Sequence, residues 1–323
     1  MRAAFAAALA ATTLFAAPSH AYVRSRTSGT PGTPIHWPGA CAFVQPDSAA
    51  TPDLPSDQVF SIIQKSMANW SGAASCGSYF QMMYDQPAPL EAHYDGVNVV
   101  KFRTDKWCHP NDAQSKDQCY DAMAAAITTV FFVDHAGDPN QGVILDADIE
   151  LNDINFTFVD IIPNMTPPPP RSGTQIADLE NTLTHELGHL QGLDHTCKDA
   201  ATPANEVDDS GNPPPPCNDI PPAEAFKITT ATMYNSAVPG EIKKRTPEAD
   251  DLAGICNAYP NDAAHQTAVQ NSPSAWTCVH TDLSKFSSHG CAFADRAPPA
   301  ASLAFALALC ALLAVRAGAR RRR

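Results

Sequence analysis

The stretch His185-Glu186-Leu187-Gly188-His189-Leu190-Gln191-Gly192-Leu193-Asp194-His195 decides how the rest of the chain is read. His185 and His189 are four residues apart, so on a helix both imidazoles leave one face and can reach a single metal ion. Glu186 stands beside that face, where a carboxylate can take a proton from a water on the metal. Gly192 permits a sharp turn at positive φ, which ends the helix and returns His195 as a third ligand. Three neutral imidazoles with one open position suit a catalytic zinc, whereas a structural zinc is closed by a fourth protein ligand.

Outward from this motif, the spacing predicts a helix that begins at a capping box, Ser172 with Gln175. It buries Ile176, Leu179, Leu183, Leu187 and Leu190 and turns its histidine face to a cleft. Upstream, Gly142 to Asn152 alternates, with Ala147, Ile149 and Leu151 on one side and Asp148, Glu150 and Asn152 on the other. That pattern predicts a half-exposed strand. Ala126 to Val133 reads as a buried strand, and Cys41 to Gln45, Tyr79 to Tyr84 and Val97 to Phe102 as further strands. Ser56-Asp57 caps an expected helix with Val59, Ile63, Met67 and Trp70 on one stripe. Lys106 to Asp121 reads as a polar loop, and the Pro-rich run Cys197 to Pro222 as a surface insert. Thr246, with Pro247 behind it, is expected to cap a last helix carrying Leu252, Ile255, Cys256 and Tyr259.

The motif H-E-x-x-H-x-x-G-x-x-H resembles the signature of the metzincin zinc peptidases. Ala231-Thr232-Met233-Tyr234 is similar to their Met-turn, with Met and Tyr adjacent as in matrixins, and Asp250-Asp251-Leu252-Ala253-Gly254-Ile255 is similar to the terminal helix of matrixin catalytic domains. The resemblance covers about Ile35 to Pro260, its specific part being residues 142 to 260. It implies an α+β fold: a twisted mixed sheet, an active-site helix and a C-terminal helix. It further implies zinc on His185, His189 and His195, Glu186 as the catalytic carboxylate, and Met233 as the floor beneath the imidazoles. The strand at 142–152 would be the sheet edge that pairs with an extended substrate. Asp146, Asp148, Glu150 and Asp153 resemble an acidic stretch where matrixins bind calcium; the other reading is the solvated face of an edge strand. Thr196 stands where matrixins usually have Ser, and no P-R-C-G-x-P-D latency segment occurs. The activity implied is a zinc metalloendopeptidase acting as a monomer on extracellular proteins or peptides. A reading from another class is a surface-displayed adhesion module that keeps zinc without turnover; Glu186 argues against it, because a purely structural site does not need that carboxylate.

The ends suggest export. Arg2, the apolar run Ala3 to Ala17 and the small-x-small site Ser19-His20-Ala21 read as a signal peptide over 1–21. Residues 22–34 are Ser/Thr/Gly/Pro-rich and expected to be disordered, 35–275 to form the domain, and 276–296 a linker. Residues 297–323 hold the apolar run Ala300 to Val315 and the arginines Arg316 and Arg320 to Arg323. With Gly290-Cys291 before it, this end resembles the MYXO-CTERM bacterial sorting tails, which would make Cys291 the position where a processing enzyme acts; the alternative is a plain membrane anchor. Either places the protein outside the cell, at the surface or secreted. Without Arg2 and the five terminal arginines, the 21 basic residues fall to 15 against 34 acidic ones, a net −19. So acidic a chain argues against nucleic acid and anionic lipid as partners. Apart from Cys291 and the tail's Cys310, eight cysteines remain, which in an exported chain read as disulfides. Short loops favour Cys108–Cys119 and Cys197–Cys217.

Overall fold

A computed structural model describes residues 21–109, 118–162, 166–199, 202 and 205–286, and the backbone of 291–294. In chain order the elements are β1 (Val23–Arg24), β2 (Cys41–Pro46), α1 (Ser56–Asn69), β3 (Gln81–Tyr84), β4 (Val99–Arg103), β5 (Cys108–His109), β6 (Gln118–Cys119), β7 (Ala126–Val133), β8 (Ile144–Asn152) and β9 (Phe156–Val159). There follow β10 (Gln175–Asp178), α2 (Leu179–Leu190), β11 (Leu193–Asp194), α3 (Ala225–Thr230), α4 (Ala249–Ala258), α5 (Ala263–Asn271) and β12 (Cys291–Ala294).

The class is mixed α and β, as the pattern of elements predicts. Five strands form a mixed sheet in the order β7-β8-β4-β2-β3, and β12 adds to the outer side of β7. β2, β3, β4 and β8 run parallel, while β7 is antiparallel to β8. Helices α1 and α2 pack on one another, and α2 lies against β7 and β8. The core between them takes Ile63 and Met67 from α1 and Trp70 just after it, Ala147, Ile149 and Leu151 from β8, and Leu179, Leu183, Leu187 and Leu190 from α2. Those four leucines are fully buried, as their helical spacing requires.

Several local expectations are corrected. Residues Gln175 to Asp178 extend the chain as β10, parallel to β9, so the predicted capping box at Ser172 does not form and Ile176 precedes the helix. The cap is Asp178, whose Oδ1 accepts from Asn181 N at 2.9 Å. Arg245 in turn holds Asp178 with Nε at 2.8 Å from Oδ1. Helix α1 follows Pro55 with no side-chain cap. Helix α4 starts later than Thr246-Pro247 implied, capped at Glu248, whose N–H donates to Asp251 Oδ2 at 2.9 Å.

The segment 22–34 is packed, not disordered. Val23 and Arg24 pair with Asp194 and Leu193, and Ala21 N donates to Asp250 Oδ1 at 2.6 Å. Tyr22, Val23 and Arg24 are buried, the Arg24 guanidinium reaching Ile35 O at 2.5 Å. A few anchors inside a polar run suffice to order it. The domain also runs past residue 275: Cys278 is bonded to Cys41, and His280 stacks on Phe43 with ring centroids 3.9 Å apart. The Cys108–Cys119 and Cys197–Cys217 pairs expected from loop length are both present, with Cys76–Cys256 as a fourth bridge. No helix of the described residues is long and apolar enough to cross a membrane; the apolar stretches of the signal and tail lie outside the described residues.

A packed β1 has a direct consequence. Brief trypsin digestion of the folded protein is expected to spare Arg24 while cutting exposed Lys285; peptide masses showing Arg24 cleaved first would contradict the placement of this segment.

Candidate metal centre

Helix α2 delivers His185 and His189 one turn apart, and the chain then reverses at Gly192, whose φ is +91°. A side chain there would also put its Cβ 2.9 Å from Ile35 O, so both backbone angle and space demand glycine. The turn feeds β11, and His195 follows it. Ligand nitrogens of the three histidines lie within 4.8 Å of one another. His195 Nε2 is 3.2 Å from His185 Nε2 and 3.2 Å from His189 Nε2. Metal–nitrogen bonds of about 2.0–2.1 Å in tetrahedral array set nitrogen–nitrogen edges at about 3.3–3.4 Å, which the two edges at His195 match closely.

The ring orientations are fixed from behind. His185 Nδ1–H donates to Thr232 O at 2.6 Å and His189 Nδ1–H to Leu193 O at 2.9 Å. With those protons on Nδ1, the Nε2 lone pairs are left for the centre. His195 Nδ1 is buried and without a hydrogen-bond partner among the described residues. Burial pulls His195 down to about 3, which keeps it neutral and able to ligate. The donor set, three neutral imidazoles, can hold a metal ion.

Met233 is fully buried and packs on Gly188, between the two helical histidines in sequence, where an added Cβ would stand 2.3 Å from Met233 Sδ and 3.0 Å from Trp70 Cζ2. Gly188 is therefore required by contact, a role its position inside the motif does not disclose. The turn carrying Met233 is suspended from α4: Asp251 Oδ2 accepts from Thr232 N at 2.7 Å and Oδ1 from Met233 N at 3.0 Å. Burial raises the Asp251 carboxyl to about 6, against the pull of these backbone donors. Glu186 lies on α2 beside the histidines, 5% exposed, and its Oε2 accepts from Thr128 Oγ1 on β7 at 2.7 Å. The Lys244 ammonium, which donates to Tyr234 O, is buried within electrostatic reach of Glu186 and is lowered to about 8 mainly by desolvation. Thr128, Asp251 and Lys244 escaped the sequence reading because their roles arise from distant segments meeting.

The four expected calcium carboxylates do not converge. β8 is an inner strand buried on both faces, not a half-exposed edge; β7 lies outside it, and β12 outside β7. Glu150 accepts from Tyr120 Oη and pairs with His109 Nδ1, each at 2.8 Å, and with Arg103. Asp153 pairs with Arg171 at 2.7 Å and accepts from Thr51 Oγ1 at 2.9 Å. Asp146 Oδ2 accepts from the N–H groups of Asp95 and Gly96 at 2.7 and 2.8 Å, and Asp148 Oδ1 from Val99 N at 2.8 Å. The alternation of charged residues marks a face covered by protein rather than water. Among the described residues, only the three histidines form a group able to hold a metal. The Cys291 side chain and the tail fall outside what the structure describes.

Comparison of the chain with known protein families finds no match, and neither does comparison with curated proteins.

Two measurements follow. Asp251→Asn keeps one acceptor and loses the other, so the turn that orients His185 loosens; affinity for Zn²⁺ or Co²⁺ should fall about 10–100-fold by titration, with the far-ultraviolet circular dichroism unchanged. Asp146 titrates near 7 in the folded protein because burial dominates, against 3.8 for its ordinary value. Between these values the folded state holds a proton that the unfolded state has lost. Stability should therefore fall as pH rises from about 4 to about 7 and level off above. Denaturant midpoints should show a shallower slope in Asp146→Asn, and an unchanged slope would refute the assignment.

Proposed function

We propose that the protein is a zinc-dependent endopeptidase of metzincin type, acting on extracellular proteins or peptides. The observation that carries this reading is the pairing of an open three-imidazole centre with a carboxylate on the adjacent helical position. A purely structural metal needs no Glu186, and no Ser/His/Asp or Cys/His nucleophile constellation was evident in the sequence. The matrixin resemblance of residues 231–234 and 250–255 supports the same reading, as does the packing of buried Met233 on Gly188 of the motif.

His185, His189 and His195 would hold the zinc, which supplies Lewis-acid polarisation of the scissile carbonyl and lowers the pKa of a bound water towards neutrality. Glu186 accepts the proton of the attacking water at a carboxylate oxygen and passes it to the leaving amine. The Thr128 hydroxyl holds Oε2 of that carboxylate, restricting its rotation. The Lys244 ammonium is buried within electrostatic reach of the same carboxylate. Four disulfides suit work in an oxidising, extracellular setting.

Glu186→Gln removes the proton acceptor and leaves the imidazoles in place. Casein cleavage should drop at least 100-fold while one zinc per chain is retained by elemental analysis. Equal cleavage by the variant would eliminate the proposed mechanism.

A further inference from the structure

The outer side of β7 is not free. β12 pairs with it antiparallel, Cys291 opposite Val133, Ala292 opposite Phe132, Phe293 opposite Phe131 and Ala294 opposite Val130. The same strand carries Thr128, which touches the Glu186 carboxylate. The paired zone thus stops two residues short of the position level with Glu186, about 7 Å at roughly 3.3 Å per residue. Following β12 in chain direction leads along the edge towards the metal centre.

An extended peptide reaching that centre along the sheet has to add to this edge, because β8 is enclosed by β7 and β4. We infer that residues Cys291 to Ala294 are a built-in occupant of the peptide track, an intramolecular strand that must leave before another chain can dock. The inference rests on the peptidase reading for its consequence and on the strand register alone for its geometry.

A second observation supports it: the chain is fastened just upstream. Cys278 is bonded to Cys41, His280 stacks on Phe43, and Leu283 and Phe286 pack with Val133, Val143 and Leu145. Only four residues separate Phe286 from Cys291. A strand on so short a tether competes at an effective concentration of order millimolar. Free peptides that bind more weakly than this would be held off, so turnover should depend on freeing the segment after Phe286. An edge strand left bare would invite pairing with other copies, and β12 also removes that hazard.

The test uses the full chain and its Ala292→Pro/Phe293→Pro variant. Successive residues in an antiparallel ladder alternate in presenting their N–H to the partner, so the double change deletes an inward donor in either phase. Hydrogen exchange at the Val130 to Val133 amides and the initial rate on quenched fluorescent casein are the readouts. The inference predicts exchange at one or more of these amides at least tenfold faster in the variant. It also predicts casein turnover at least tenfold faster, and protection restored by millimolar synthetic peptide 289–296. Unchanged exchange overturns it, as does faster exchange with no gain in casein turnover by an enzyme that cleaves casein. Faster exchange reversed by the peptide, with neither chain cleaving casein, would uphold the strand's occupancy and count against the peptidase reading alone.

Discussion

Two backbone carbonyls decide which nitrogen of each helical histidine faces the centre. An imidazole has one proton to place, and in a buried site it goes where an acceptor waits. Thr232 O takes it from His185 and Leu193 O from His189. Neither carbonyl is held by α2 itself. Thr232 sits in a turn hung from Asp251 on α4, and Leu193 sits in a strand paired with β1. Helix α4 is fixed in turn by Tyr259 at its end, whose hydroxyl donates to Gln191 O at 2.8 Å. The centre thus draws on the first and last thirds of the domain. Its geometry is a property of the whole fold, not of the eleven-residue motif.

The sheet shows the same economy in a different form. β8 presents Ala147, Ile149 and Leu151 to the helical layer and Asp146, Asp148 and Glu150 to the other side. Buried carboxylates are costly unless matched, and each here has partners: backbone N–H groups for the first two, and Arg103, His109 and Tyr120 for Glu150. Glu150 thereby fastens the β5–β6 hairpin to the sheet. The second layer over this face includes segments, such as 278–286, that read as linker. Among the described residues, Asp146 Oδ1 and Asp148 Oδ2 have no hydrogen-bond partner, which agrees with burial raising both carboxyls.

These features mark where sequence stops being informative. Spacing carried the histidine triad, the leucine stripe of α2 and the glycine at 192, because each follows from helical period or from one residue's backbone freedom. Short loops carried Cys108–Cys119 and Cys197–Cys217; nothing local could carry Cys41–Cys278, whose partners are 237 residues apart. Alternation on β8 gave its two faces correctly but not their surroundings, since a charged face satisfied by arginine and backbone donors has the same pattern as one satisfied by water. Likewise the polar composition of 22–34 concealed that Tyr22, Val23 and Arg24 are anchors, and Ser172 looked like a cap because β10 is too short to announce itself.

The long disulfides bear on the centre as well as on stability. In the chain-entropy account, a bridge closing a loop of about 200 residues removes roughly 5 kcal/mol of freedom from the unfolded chain. Cys76–Cys256 joins the end of α4 to the segment after α1, and α4 is the helix that carries Asp251. Cys41–Cys278 pins the C-terminal segment to β2. Both therefore order elements that place Thr232 O or flank β7 without help from a metal. A site assembled by its metal must spend binding free energy on folding. Here the backbone acceptors of His185 and His189, the turn that carries Thr232 and Met233, and the bridges all bear on where the three nitrogens stand, so loss of a bridge should be felt at the centre as well as in stability.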